Sequence, residues 1–249
     1  MEGTAVTANL LEVTGISRSF GPVKAVDNAS LAVREHSITA LIGPNGSGKT
    51  TLFNVITGYL RPDSGTVRFD GRDVTGAKSA VLYRRGLSRT FQQARVFSHL
   101  TVQENLVVAS GFTWPQLFGR RVGKRDMALA ANLLEEFRLG HVADLYASEL
   151  SYGQRKLLEF AAVLMSRPKL IMLDEPTAGV NPVLIETMEQ HIRQLHADGI
   201  TFLIVEHDMN FVMRLCDPVV VLDRGREIFT GSPEQVQSDS GVLDAYLGA

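Results

Sequence analysis

Eight residues, Gly43-Pro44-Asn45-Gly46-Ser47-Gly48-Lys49-Thr50, follow the pattern G-x-x-x-x-G-K-[ST]. Residue types at that spacing cradle phosphate. Glycines let the backbone curl until successive N–H groups converge on anionic oxygens, and a helix beginning where the loop ends adds the positive end of its dipole. In such a loop Lys49 reaches the β- and γ-phosphates of a nucleoside triphosphate, the Thr50 hydroxyl ligates Mg2+, and Thr51 completes the binding set. A turn that merely permits tight packing is the bland alternative. The context opposes it, because the motif follows the apolar run Ile38 to Ile42 and precedes the helix-forming run Thr51 to Tyr59.

A second chemical pair, Asp174-Glu175, ends another apolar run, Leu170 to Leu173. Ligands of open α/β sheets gather at the carboxyl ends of strands, so both acids are expected to face the phosphate loop. Asp174 is the expected Mg2+ partner, through water, and Glu175 is placed to orient or deprotonate an attacking water. Leu150-Ser151-Tyr152-Gly153-Gln154 precedes the helical run Arg155 to Met165. There Ser151 or Gly153 leaves free N–H groups at a helix start, a second anion site that one phosphate loop does not need; alone, it would read as an ordinary Ser N-cap.

These residues need elements to position them. Ile38 to Ile42, Leu170 to Leu173, Thr201 to Val205 and Val219 to Leu222 are apolar almost throughout, as parallel strands buried on both faces should be. Between two of them Ile185, Met188, Ile192 and Leu195 recur at helical spacing and Gly199 follows as a stop, which makes a crossover helix. Leu11 to Val33 and Thr66 to Val74 are more polar and broken by turns, and predict an antiparallel β layer. Helix formers in Met127 to Phe137 and Gln154 to Met165 predict helices within the segment Val102 to Met165, with a loop from Gly111 to Gly123, and Pro233 to Leu247 predicts a short closing helix. The expected fold is α/β, a phosphate-loop NTPase core with a parallel central sheet, an N-terminal antiparallel β layer and an inserted helical subdomain. The whole of 1–249 is expected to be one domain, with the β layer and core from about 8–92 and 160–249 and the helical part from about 93–159.

The phosphate loop, Leu-Ser-Tyr-Gly-Gln and Leu-Asp-Glu-Pro, in that order, resemble the nucleotide-binding domains of ABC transporters, and the resemblance covers essentially the whole chain. It implies that ATP with Mg2+ is bound and hydrolysed. It also implies that Ser151, Gly153 and Gln154 complete the ATP site of a second ABC ATPase subunit, identical or related, and that transmembrane permease subunits are the further partners. Phe20, in Arg18-Ser19-Phe20-Gly21, matches the aromatic that stacks on adenine, a contact of about 1–3 kcal/mol by analogy with base stacking. Gln92, in Thr90-Phe91-Gln92, matches the glutamine that contacts Mg2+ or water, and His207 matches the histidine that holds the γ-phosphate and the general base. Two residues depart from the family pattern: Tyr152 stands where Gly is familiar, and Asn181 where Asp is usual. Asn181 keeps hydrogen bonding but loses a negative charge at the expected subunit boundary. Arg89-Thr90-Phe91-Gln92, Ala178-Gly179-Val180-Asn181-Pro182 and Glu206-His207-Asp208-Met209 look most similar to ATPases of bacterial branched-chain amino acid importers, with urea or amide importers and lipopolysaccharide exporters as alternatives.

Composition narrows the classes further. Lys plus Arg number 25 and Asp plus Glu 27, a net charge of −2 that gives no reason to expect nucleic acid. A small-molecule kinase or GTPase shares the phosphate loop but would lack the Ser151 motif, and no Asn-Lys-x-Asp is found. A soluble ABC protein acting on ribosomes or DNA would usually carry two cassettes or a long coiled coil. No run approaches the ~18 apolar residues of a membrane span, and Met1 to Asn9 lacks the features of an export signal. The expected location is therefore peripheral, on the cytoplasmic face of the membrane. Cys216 is a single cysteine with no metal-ligand spacing around it and reads as a small buried thiol.

Overall fold

The computed structural model describes residues 8–90, 95–110 and 124–247. β1 (Asn9–Phe20) and β2 (Val23–Arg34) form a hairpin turned at Gly21, and β3 (Ile38–Ile42) runs through the glycine-rich loop into α1 (Lys49–Ile56). β4 (Ser64–Phe69) and β5 (Arg72–Asp73) return to the first layer. α2 (Ser79–Arg84) and β6 (Leu87–Arg89) precede three helices, α3 (Val102–Ala109), α4 (Lys124–Glu136) and α5 (Tyr152–Leu164). The chain then alternates through β7 (Leu170–Asp174), α6 (Pro182–Ala197), β8 (Thr201–Val205), α7 (Met209–Leu215) and β9 (Val219–Asp223). It closes with β10 (Arg226–Gly231), α8 (Pro233–Ser238) and α9 (Ser240–Leu247).

Two sheets result among the described residues. One is antiparallel, in the order β2-β1-β4-β5; the other runs β10-β9-β3-β8-β7-β6, parallel except for β10 at its edge. Alternation of side chains along each central strand feeds two cores. Leu41, Met172, Leu203 and Val220 point toward the antiparallel layer and enclose Leu52 and Phe53 of α1 with Ile16, Val67 and Phe69. Ile42, Ile171, Leu173, Ile204 and Val221 point to the opposite side, where they meet residues of α3, α4, α5, α6 and α7. Strands apolar on both faces are thereby explained: α1 and the β layer cover one side, the remaining helices the other.

The fold class expected from sequence is the one found. α6 buries Met188, Ile192 and Leu195 as their spacing requires, is capped by the Asn181 side chain accepting from Leu184 N, takes Pro182 in its first turn, and ends before Gly199 at φ 94°. The details differ in places. α1 begins at Lys49, two residues before the helical run visible in sequence, and is over by Thr57, with Gly58 at φ 73°. The closing segment is two helices, because Asp239 adopts an extended conformation and its carboxylate accepts from Val242 N, starting α9 afresh. Gln92, the expected boundary at 92/93 and the Gly111 to Gly123 loop lie outside the described residues, Gln92 with its expected contact to Mg2+ or water.

Candidate functional site

β3, β8 and β7 are adjacent and parallel, so their carboxyl ends bring the glycine-rich loop, the Glu206-His207 turn and the Asp174-Glu175 pair to one edge of the sheet. The loop is clamped from both sides. A Cβ on Gly43, at φ 149°, would fall 2.0 Å from the Leu222 carbonyl oxygen, and one on Gly48, at φ 103°, 2.3 Å from that of Ala25. Only glycine fits either position. Gly225 N donates to Ser47 O at 2.8 Å and Ser47 N to Pro44 O at 3.2 Å, which ties the loop to the β9–β10 turn. Asn45 and Gly46 are exposed at its tip, and Ser47 is buried.

Lys49 is buried, and its ammonium donates to the carbonyls of Gly43 at 2.8 Å and Pro44 at 2.9 Å and approaches Ser47 Oγ at 3.5 Å. Burial pulls its pKa down and the charge of Glu175 opposes that. Thr50 is exposed and its hydroxyl makes no hydrogen bond among the described residues, whereas Thr51 is half-buried. The strand end supplies two differently aimed acids. Asp174, still in β7, is buried beside Arg89, with Nη2 to Oδ2 at 3.2 Å. Glu175 steps into the left-handed region at φ 47°, a conformation costing on the order of 1–3 kcal/mol for a non-glycine residue. That step turns its side chain toward His207, with Oε1 and Nδ1 4.0 Å apart. Desolvation raises the Asp174 pKa and the Arg89 guanidinium opposes it.

Phe20 ends β1 half-exposed, with the Arg18 guanidinium 5.1 Å above its ring. Ser151 caps α5 in a reciprocal box: its Oγ accepts from Gln154 N at 3.3 Å and Gln154 Oε1 accepts from Ser151 N at 2.9 Å. Gly153 lies against α6, where a Cβ would meet Leu184 Cδ2 at 2.9 Å. None of Ser151, Gly153 and Gln154 shares a hydrogen bond with the phosphate loop among the described residues. The structure thus brings Lys49, Asp174, Glu175 and His207 together and leaves the Ser151 group as a separate helix start. Tyr152 reaches the turn before α6, its hydroxyl 3.3 Å from the Ala178 carbonyl.

Two positioning residues escape a sequence reading. Glu206 is fully buried, and its carboxylate accepts from Thr177 N at 2.9 Å, the Thr177 hydroxyl, His207 N at 2.7 Å and Asp208 N at 3.1 Å. One side chain therefore joins the turns after β7 and β8 and sets His207 against Glu175. Apart from its place in Glu206-His207-Asp208-Met209, its sequence signal is an acid directly after a buried strand. Arg89 donates to Asn54 Oδ1 at 2.8 Å and Thr57 Oγ1 at 2.9 Å as well as to Asp174, and lies over the rings of Phe53 and Tyr59. Glu206→Ala leaves three backbone amides without their acceptor, and is expected to cost about 3 kcal/mol, or roughly 6–12 °C in Tm. A thermal midpoint within about 2 °C of the parent would show that the carboxylate does not hold these turns.

Comparison with known proteins agrees with this arrangement. A profile of the family described as ABC transporter matches residues 26–178. The high-affinity branched-chain amino acid transport ATP-binding protein BraF of Pseudomonas aeruginosa is 40% identical over 250 residues, covering 96% of this chain and 98% of that one. The probable branched-chain amino acid transport ATP-binding protein LivG of Methanocaldococcus jannaschii is 40% identical over 253 residues, covering 97% and 98%. Among solved structures, the ADP conformation of MJ1267, an ATP-binding cassette of an ABC transporter, superposes with a TM-score of 0.87 at 39% identity, covering 98% of this chain and 100% of that one. With a nucleotide loop, a carboxylate pair and a histidine on adjacent strand ends of this fold, the chain belongs to the ABC transporter family and is an ATP-binding, ATP-hydrolysing subunit of it.

Proposed function

We propose that this subunit powers a transporter by clasping two ATP molecules between itself and a second cassette, and that the cargo is a branched-chain amino acid moving inward. The observation that supports the reading is the convergence of the loop, Glu175 and His207 on one sheet edge while a second helix start, capped by Ser151, stands apart from them. In this account Lys49 and the backbone N–H groups between Gly43 and Thr51, Pro44 having none, hold the phosphates, and Phe20 stacks on adenine. The exposed Thr50 hydroxyl and the Asp174 carboxylate, with Gln92, are oxygen donors of the kind a small hard cation takes while keeping several waters. Mg2+ bound there supplies neutralisation of phosphate charge. Glu175 orients or deprotonates the attacking water, and His207 holds the γ-phosphate beside it. Ser151, Gly153 and Gln154 meet the γ-phosphate of the opposite subunit. Asn181 fits this scheme as a helix cap, a task at which Asn equals Asp.

The same account treats residues 1–249 as one domain, with a helical subdomain from about 93–159 set into a core from about 8–92 and 160–249. Among the described residues no helix is long and apolar enough to cross a membrane. Permease subunits would supply the membrane path, docking in the cleft of about 620 Å3 bordered by Tyr59, Tyr83, Arg84, Ser110, Val163 and Arg167, and holding the cassette on the cytoplasmic face. Purification of the tagged chain from its own cells under mild detergent is expected to bring down two hydrophobic membrane subunits. Recovery with ribosomes or DNA instead would overturn the transport assignment.

A further inference from the structure

Phe20, the last residue of β1, is held more firmly than a hairpin turn requires. The hairpin sits beside the phosphate loop: Phe20 pairs with Val23, and the carbonyl of Ala25, two residues on, would meet a Cβ on Gly48 at 2.3 Å. The Phe20 side chain is 46% exposed, and the Arg18 guanidinium lies 5.1 Å from its ring centroid. The ladder to β2 shifts register on both sides of Arg18, between Ile16 and Arg18 and again between Arg18 and Ser19. Irregularities of this kind bend a strand and re-aim its side chains.

Asp63, just before β4, fixes the bent segment. Its N–H donates to Ser17 O at 2.8 Å, its Oδ2 accepts from Ser19 N at 2.7 Å, and its Oδ1 accepts from Arg18 Nη1 at 2.8 Å. One residue therefore grips three consecutive positions of β1 immediately before Phe20. The Ser19 N–H and the Arg18 guanidinium hold the Asp63 pKa below its usual value against desolvation, so the carboxylate is charged at neutral pH. Arg18 Nε is sealed from solvent with no hydrogen-bond partner among the described residues, which leaves the Asp63 carboxylate and the Phe20 ring to orient the guanidinium. An ion pair this exposed adds little to stability, so its value lies in what it holds in place.

A half-exposed phenylalanine at a strand end is free to turn, and a base stacks on it well in one orientation only. A guanidinium over one face of the ring restricts that turning and leaves the other face for the base. We infer that Arg18, held by Asp63, is a positioning residue for the adenine platform, fixing the Phe20 ring while touching no part of the nucleotide itself. The inference rests on the assignment of Phe20 to adenine.

Two ligands separate positioning from folding: Mg2+–ATP, and inorganic tripolyphosphate with Mg2+, which engages the phosphate loop but has no base to stack. Arg18→Met keeps an apolar stem and removes the charge. In the full-length protein its dissociation constant for Mg2+–ATP, measured by calorimetry, is expected to rise about two- to five-fold, the size of an exposed cation–π contact, with that for tripolyphosphate unchanged. Asp63→Asn retains an acceptor for Ser19 N, loses the ion pair, and is expected to show the same split. In a Phe20→Ala background, itself weakened about ten-fold or more toward ATP, Arg18→Met is expected to have no further effect. An equal loss for both ligands marks a structural role and overturns the inference. So does a loss in the Phe20→Ala background as large as in the parent, which would mean that Arg18 meets the nucleotide directly. ATP affinity unchanged in Phe20→Ala removes the platform and the inference with it, whereas affinity lost there and kept in Arg18→Met or Asp63→Asn overturns only the positioning role.

Discussion

Glu175→Gln is expected to keep ATP binding and to lose steady-state hydrolysis by about a hundred- to ten-thousand-fold, the usual contribution of a positioned general base. The expectation follows from where the residue sits. Asp174 is committed to Arg89 at 3.2 Å inside β7, while Glu175, one residue on, is turned out by its left-handed backbone to within 4.0 Å of His207. Two adjacent acids are thus held by different partners, and in the proposed scheme the second handles the attacking water. Glutamine preserves size and hydrogen bonding but cannot take a proton at neutral pH. Phosphate-release kinetics at saturating ATP measure the effect, and a near-normal turnover rate would exclude Glu175 from handling the water.

The second large effect belongs to Lys49→Ala, for which the dissociation constant of ATP is expected to rise on the order of a hundred-fold or more, since several charge-assisted hydrogen bonds to phosphate are lost at once. The ammonium is held over the loop by the Gly43 and Pro44 carbonyls, and its burial already favours a partner of opposite charge. Equilibrium binding of a fluorescent ATP analogue reads this directly. An unchanged constant would reduce the glycine-rich segment to a packing turn and remove the assignment.

How far these residues were legible in sequence depended on whether their information is local. The glycine-rich loop declares itself because its amides, its glycines and its helix start are consecutive, and α1 begins at Lys49 within the motif itself. β3, β7, β8 and β9 were visible because burial on both faces leaves no polar position to confuse the period. Glu206 was not visible, since its role depends on Thr177 arriving from another turn, 29 residues away in sequence. Arg89 is similar: it links Asn54 and Thr57 in and just after α1 to Asp174 in β7, and nothing in its immediate neighbours announces either partner. The short elements β6 and α7 escaped because three and seven residues are too few for a period to establish itself. Ser151 is an instructive intermediate. Its capping box with Gln154 could be read locally, but the surplus of anion sites acquires meaning only if another molecule supplies the anion.

The central claim is that ATP joins two chains, each presenting its loop to the other's Ser151. The mass in solution of Glu175→Gln protein, measured by light scattering with and without Mg2+–ATP, addresses it without any membrane partner. The account predicts one chain without nucleotide and two with it, the doubling being lost when Ser151 is also replaced by Arg. A single-chain mass at saturating ATP, with the nucleotide demonstrably bound, would contradict it.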